Sequence, residues 1–552
     1  MNYRLRLFGR QGWVSMARSL SLGLVSSAIA AMPATAADRI TTFFGSFQFS
    51  LSVESLELYA TQGKITDELA FYTKRASPQQ LAQLRSLLQQ RVPVNPILIS
   101  QLTYAPLGEA ILQQLGTIVQ TEAGQNGFYA LRAAFLLAAA DPTGLTVVNV
   151  LRHYPTRSVR LDLEPGFALA KEFANSAKER DGAIASVQKT AIAEASAHFT
   201  VNFAQQPDLK QPGLFRWQRQ TFQLTDQART VSVDLYRPER NVEDKTLIPV
   251  VVLLHGAASD RNTFAYVAVH LASHGFAVAV PESPGNSSQR FRQFLAGRAA
   301  LPDIAELVQQ PLDVKRLLDE LQRRSRTDST LQTLNLQQVG VMGHSQGGYA
   351  ALTLAGAPLN VAQLRQDCQT GRSFNIALLV QCQALTLPPI AESLQDSRIK
   401  AVLAISPVTS SLLGRAGLSQ IQVPVMLVSS SDDTVTPAVP EQVRPFTWLT
   451  TPDRYLVLIT YGTHFSPLGG VPNDPGTLNL PSSLTGPNPA IARAYVDALS
   501  LAFFQTHIAQ QSTYRPYLSA AYANYLSQKP LPLSLVQSGQ GLEALDRRPD
   551  GQ

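Results

Sequence analysis

The sequence predicts an α/β fold, a mostly parallel sheet with helices on both faces, preceded by a mainly helical N-terminal domain. Three observations predict it. After Pro207, short apolar strands recur between helical patterns. Before that point, apolar residues recur mostly at helical spacing. Of the 552 residues, 45% are hydrophobic and only 16% charged, the balance of a core-forming chain. The length exceeds one ordinary domain.

The first segment reads as an export signal. Arg4, Arg6, Arg10 and Arg18 precede an apolar stretch from Leu20 to Met32, and Ala34-Thr35-Ala36 offers small residues to a signal peptidase. The apolar stretch is short for a membrane span, and Ser and Pro interrupt it. A retained N-terminal anchor is the alternative. No twin Arg is present, which favours the general secretory route. Residues 1–36 are therefore expected to leave the mature chain, which is expected in the periplasm or outside the cell.

Residues 37–200 are expected to form the helical domain. Ser77-Pro78-Gln79-Gln80 is a helix start, with a Ser cap, Pro in the first turn and Gln80 reaching back. Leu81, Leu84 and Leu88 then mark one apolar face. Phe128 to Ala139 is apolar nearly all round, predicting a buried helix. Residues 166–198 read as a long helix or helix pair. Phe43 to Leu58 contains Phe44, Phe47, Phe49 and Leu51 in strand-like alternation, the pattern of a packing strand or hairpin.

Residues 201–508 are expected to form the α/β body. Residues 215–223 and 228–236 alternate as an antiparallel pair. Apolar strands follow at Val250–Leu254, Ala277–Val280, Val339–Met342, Ala401–Ile405, Val425–Val428 and Tyr455–Ile459. Buried strands alternating with helices imply a parallel sheet covered on both faces. A helix is predicted after Pro311, carried by Val314, Leu317, Leu318 and Leu321. Residues 357–398 form an insertion without strand signal, and 466–490 a loop rich in Pro, Gly, Ser and Asn. Both are expected to roof the site. Residues 509–552 form a Tyr- and Pro-rich tail. Cys368 and Cys382 both lie in the insertion. In an exported chain they can close a disulfide, worth on the order of 3 kcal/mol. Two buried thiols are the alternative reading.

The chemistry concentrates in Gly343-His344-Ser345-Gln346-Gly347, after a strand and before a helix of small residues. This is a nucleophile elbow. A sharp turn lifts the Ser345 hydroxyl clear of the backbone, and a side chain at Gly343 or Gly347 would crowd the turn. A serine hydroxyl needs a base. In an elbow fold the acid and then the His follow the Ser. Of the histidines beyond the acids, His507 sits in an apolar helix, whereas His464 follows a strand in a loop, where a base borne by a sheet belongs. Two carboxylates, Asp432 and Asp433, compete to orient His464. The oxyanion hole needs two amides: that of Gln346, and one from His255-Gly256-Ala257-Ala258, where Ala257 is selected. His255 is read as shaping its loop, and His344 as pointing away from the nucleophile. No metal site, nucleotide motif or cofactor box is visible.

These segments resemble the α/β-hydrolase superfamily, and within it the dienelactone-hydrolase-like and platelet-activating-factor-acetylhydrolase-like esterases. His255-Gly256 with Ser259-Asp260-Arg261, Pro281-Glu282-Ser283-Pro284-Gly285, Pro311-Leu312-Asp313-Val314 and the elbow, Asp and His segments carry the resemblance. It implies the α/β-hydrolase fold and ester hydrolysis. Related enzymes place the acid four residues before a Pro, which selects Asp433 before Pro437. Dienelactone hydrolases proper use Cys where this chain has Ser345, so dienelactone is not implied as substrate. Residues 38–200 resemble an uncharacterised helical region of exported cyanobacterial members.

Two functions compete. One is an exported serine esterase acting on a small-molecule or lipid-like ester through Ser345, His464 and Asp433, without cofactor. The other is an envelope-associated lipid- or polymer-binding protein on a hydrolase scaffold, motivated by the front domain and the Tyr-rich tail. The formal charge of +6 hints at nucleic acid, but removing the signal leaves 42 basic against 40 acidic residues. The mature chain is near neutral, so nucleic acid is not an expected partner. Membrane contact is compatible with the sequence but not required by it.

Overall fold

The computed structural model describes residues 36–197, 201–226, 229–241, 244–369, 375–469, 482–542 and 545. The expected export signal, up to residue 35, lies outside them. Two compact units emerge: the described residues up to Thr103 with Ile111–Ala168, and Tyr104–Ala110 with those from Leu169 onward.

The first unit is less purely helical than its pattern predicts. β1 (Arg39–Phe44) and β2 (Phe47–Ser52) form a hairpin, and β3 (Val119–Gln120) and β4 (Ser158–Leu161) extend it in the order β2-β1-β4-β3. The strand or hairpin expected from Phe43 overlaps this hairpin as far as Ser52, whereas β3 and β4 are too short for a period-2 signal. The hairpin ends at Ser52, whose side chain caps the helix Val53–Gln62 by accepting from the Ser55 amide. Ser77 and Gln80 form the reciprocal capping box, with N···O distances of 3.2 and 2.8 Å. The helix Phe128–Ala140 is not buried all round: Ala134 and Ala138 are sealed, while Tyr129 is 76% exposed. Its inner face packs on the helix Val147–Arg152.

The second unit begins earlier than residue 201. The helix Leu163–Ala197 is continuous, and its later part belongs to the body. Ala183 and Val187 are fully buried there, and Glu194 accepts from the amides of Gln537 and Ser538. The helix runs unbroken across the change of unit, so helical spacing does not mark it.

The body is one nine-stranded sheet. Its strands are β5 (Trp217–Asp226), β6 (Arg229–Pro238), β7 (Ile248–Leu254), β8 (Ala277–Pro281), β9 (Leu334–His344), β10 (Ile399–Ile405), β11 (Val425–Ser430), β12 (Arg454–Ile459) and β13 (Leu533–Val536). The order is β13-β12-β11-β10-β9-β7-β8-β6-β5, parallel from β8 through β12 and antiparallel at both ends. Alternate side chains of each central strand enter opposite cores. Val250, Val252, Val341, Val402 and Leu427 face the helices Glu306–Arg324 and Gln346–Leu354. Val251, Leu253, Met342, Leu403 and Met426 face Ala265–Ser273 and Pro489–His507. Both faces are covered, which is why the strands read as continuous apolar runs.

Three departures matter. The tail is not an appendage, because β13 pairs with β12 and Tyr517 and Tyr522 are buried against Phe203. The helix expected after Pro311 starts five residues earlier, at Glu306, and carries Pro311 inside it. Glu306 accepts from Arg229 and Gln310 donates to the buried His255 carbonyl, and these bonds hold that first turn and offset the amide that Pro311 lacks. The insertion is helical and closed by a Cys368–Cys382 disulfide. Gln381 accepts from the amides of Ser411 and Leu412 and donates to Glu441, so the insertion docks on the segment after β10.

β6 is tied to the helix Glu306–Arg324 by Arg229, which lies 2.8 Å from Glu306 and 2.6 Å from Asp313. Both carboxylates are sealed from solvent, and Glu306 also accepts from the Gly285 amide. Removing the cation leaves the buried Glu306 without an ion pair and Asp313 with Arg316 alone, 3.1 Å away. Arg229→Met should therefore lower unfolding free energy by about 3 to 5 kcal/mol. Urea denaturation measures it, and a loss below about 1 kcal/mol would show the cluster to be dispensable.

Candidate active site

The candidate residues gather at the carboxyl edge of the parallel strands, where open α/β sheets hold ligands. Ser345 follows β9 and opens the helix Gln346–Leu354 with φ 55° and ψ −118°, a left-handed backbone on a residue with a side chain. Its amide donates to the Ile405 carbonyl at 2.8 Å, and its carbonyl accepts from the Tyr349 amide at 3.1 Å. The flanking glycines are dictated by contact. A Cβ at Gly343 would lie 2.1 Å from the Gly347 carbonyl, and one at Gly347 would lie 2.4 Å from that of Leu254.

His464 and Asp433 come together from the loops after β12 and β11. His464 Nδ1 and Asp433 Oδ2 are 2.7 Å apart, and both side chains are buried. A carboxylate only accepts, so Nδ1 carries the proton and Nε2 is left as the basic nitrogen. Asp433 Oδ1 accepts from the amides of Val435 and Thr436 at 2.9 and 2.7 Å. Burial alone would raise the Asp433 pKa. The facing His464 and the Thr436 bonds outweigh it and hold the carboxyl below its ordinary value. Asp432 is exposed and bonded to Ser431, with its amide on the Gly462 carbonyl. Among the described residues, no hydrogen bond joins Ser345 to His464, and such bonds often tighten only around substrate.

The amides of Ala257 and Gln346 donate to no protein acceptor among the described residues, while the neighbouring Ala258 amide is used by the Asn286 carbonyl at 2.8 Å. A Cβ on Gly256 would approach the Ser345 Cβ to 3.0 Å, so this loop runs directly beside Ser345. His255 shapes the loop: Nδ1 donates to the Gly256 carbonyl at 2.8 Å, and Nε2 accepts from the Ser283 amide at 2.9 Å. His507 lies elsewhere, 3.2 Å from the Tyr455 hydroxyl.

Two further neighbours complete the site. Thr436 supports Asp433 with its amide and its hydroxyl, which lies 2.8 Å from Oδ2. An Asp followed three residues later by Thr is the spacing of such a turn, so the signal was present. His344, read as pointing away from the nucleophile, packs its ring on His464 with 4.6 Å between centroids. The described side-chain bonds of the insertion reach Lys315, Asp319, Ser410–Leu412 and Glu441 rather than these residues, so its expected roofing role finds no support there. The loop after His464 folds back on itself, with the Leu484 and Thr485 carbonyls on Thr463 and Ser466; residues 470–481 lie outside the described ones. Among the described residues no cluster suited to a metal ion occurs, and no helix is long and apolar enough to cross a membrane.

Two family models match the chain. Residues 36–162 match one described as an alpha/beta hydrolase of unknown function (DUF1400). Residues 249–364, from β7 past the elbow helix into the insertion, match the alpha/beta hydrolase fold. Both support the alpha/beta hydrolase superfamily and hydrolase activity, and the mixed sheet with its helices fits that fold. No curated protein matches.

Several histidines are held neutral by burial. Burial and the neighbouring His464 bring His344 down to about 3. Burial brings His270 and His507 down to about 4. These folded values lie below the ordinary one near 6.5, so the unfolded chain binds protons first as pH falls. The stability these rings contribute should be complete above about pH 6.5 and drop below it by up to about 1.4 kcal/mol per pH unit for each ring. Urea midpoints at pH 7 and pH 5 measure this, with the lower midpoint expected at pH 5. Equal midpoints would contradict it.

Proposed function

We propose that the chain is an exported serine hydrolase that cleaves carboxylic esters through an acyl-enzyme intermediate. The observation that carries the reading is the buried Asp433–His464 pair beside a serine on a strained elbow. Ser345 Oγ attacks the ester carbonyl while His464 Nε2 takes its proton. Asp433 holds the imidazole in one tautomer and stabilises the imidazolium. The amides of Ala257 and Gln346 bind the developing oxyanion, each worth roughly 10² to 10³ in rate. Collapse of the tetrahedral intermediate expels the alcohol, which takes the proton from His464. Water, deprotonated by His464, then attacks the acyl-enzyme and frees Ser345. No step needs a cofactor.

The dienelactone-hydrolase-like and platelet-activating-factor-acetylhydrolase-like resemblance supports a small or lipid-like ester as substrate. The basic, apolar and small-residue segments of positions 1–36 support export to the periplasm or beyond.

Ser345→Ala should abolish hydrolysis of a short p-nitrophenyl ester and labelling by a fluorophosphonate, with the circular dichroism spectrum unchanged. Turnover equal to that of the unsubstituted protein would end the proposal. A full-length protein that binds lipid vesicles but takes no label would favour a binding protein on a hydrolase scaffold.

A further inference from the structure

We infer that His344, the residue before the proposed nucleophile, is a positioning residue that fixes His464 through its backbone carbonyl. This inference rests on the esterase reading and extends it to a residue that touches no substrate.

Hydrogen-bond polarity fixes the tautomer of His344. His344 Nε2 lies 3.0 Å from the His464 carbonyl oxygen. A carbonyl only accepts, so Nε2 carries the proton and Nδ1 has a bare lone pair. That Nδ1 is buried without a partner. The ring is 2% exposed, and burial with the adjacent His464 keeps it neutral down to about pH 3. The donor is therefore present throughout the range in which a histidine base works, and no second cation forms beside the imidazolium of His464.

The ring is also a spacer. Its centroid lies 4.6 Å from that of His464 at an interplanar angle of 50°, and 5.9 Å from that of Phe264. On its other edge, a Cβ on Gly256 would sit 3.0 Å from His344 Nδ1 and 3.0 Å from the Ser345 Cβ. One side chain thus meets three loops: the elbow that carries it, the loop of the base, and the loop offering the Ala257 amide.

Asp433 holds His464 at ring nitrogen Nδ1, and His344 holds the same residue at its main-chain oxygen. A ring tied at one atom can still swing with its loop. Tied at two, it keeps Nε2 at a constant place relative to Ser345, because His344 is covalently next to Ser345. A displacement of about 1 Å at a reacting group can cost on the order of 10² in rate.

The test compares His344→Phe and His344→Leu, which fill space without a donor, with His344→Gln, which restores an N–H. The readouts are the second-order rate of fluorophosphonate labelling at Ser345 and the kcat and KM for a p-nitrophenyl ester. Phe and Leu should lower labelling and kcat roughly 10- to 100-fold with KM within about twofold, and Gln should recover most of the loss. Wild-type labelling rates in a folded Phe or Leu variant would overturn the inference alone. So would a Gln variant as impaired as Phe and Leu, since that pattern belongs to a residue that only packs. No labelling of the unsubstituted protein would overturn the esterase reading and this inference with it.

Discussion

Ser345 converts a buried strand into a helix within one residue, and its φ of 55° costs about 1 to 3 kcal/mol on a residue with a side chain. That strain persists because everything around it is over-determined. β9 is paired on both sides, with β7 and β10. The helix after it is sealed along Tyr349, Ala350, Ala351 and Leu352. Gly343 and Gly347 let the two pieces approach to distances that no Cβ would allow. Burying one large aliphatic side chain contributes about 1.5 to 3 kcal/mol, so a few fully buried residues on either side offset the strained turn. The depth of the sheet therefore stands behind the exposure of one hydroxyl.

The surroundings of that hydroxyl are arranged around one buried negative charge. Asp433 receives amide protons from Val435 and Thr436 on one oxygen and the His464 proton on the other. His255 and His344 are buried rings pushed toward the neutral form. A positive charge arising on His464 would have one close counter-ion and no competing cation on the adjacent ring. In a low dielectric such an arrangement has most effect, since screening is weak there.

Much of the body was legible because both faces of its sheet are buried. Val250–Leu254 and Val425–Val428 are apolar runs bounded by turn residues, and such runs have few alternatives to a buried strand. The elbow and the candidate His and Asp segments were legible because their residue types and chain order are constrained by chemistry. The short strands β3 and β4 were not, because two to four residues give no period. Pro311 misplaced a helix start because the local rule against internal proline was outweighed by the buried contacts of Glu306 and Gln310. β13 hid in a tail whose Tyr and Pro content suggested a surface segment, although Leu533 and Leu535 alternate inward. The position of the unit boundary was illegible for a different reason: a continuous helix does not change pattern where its neighbours change.

The residues that escaped sequence reading share a physical property. His344 acts on a main-chain carbonyl, and Thr436 gives Asp433 a main-chain amide in addition to its hydroxyl. His255, which the sequence does mark as shaping its loop, works in the same way, using one carbonyl and one amide to join its own loop to the loop after β8. Backbone groups are the same at every position, so a sequence motif cannot display them. They become specific only when the fold brings a chosen side chain to a chosen carbonyl or amide. A site held in this way tolerates change in many surrounding side chains, because the partner atom survives substitution. It is correspondingly intolerant of shifts in loop geometry, which move those atoms together. The elbow, the loop of His464 and the loop of Ala257 should therefore behave as one mechanical unit, with the His344 ring as the contact common to all three.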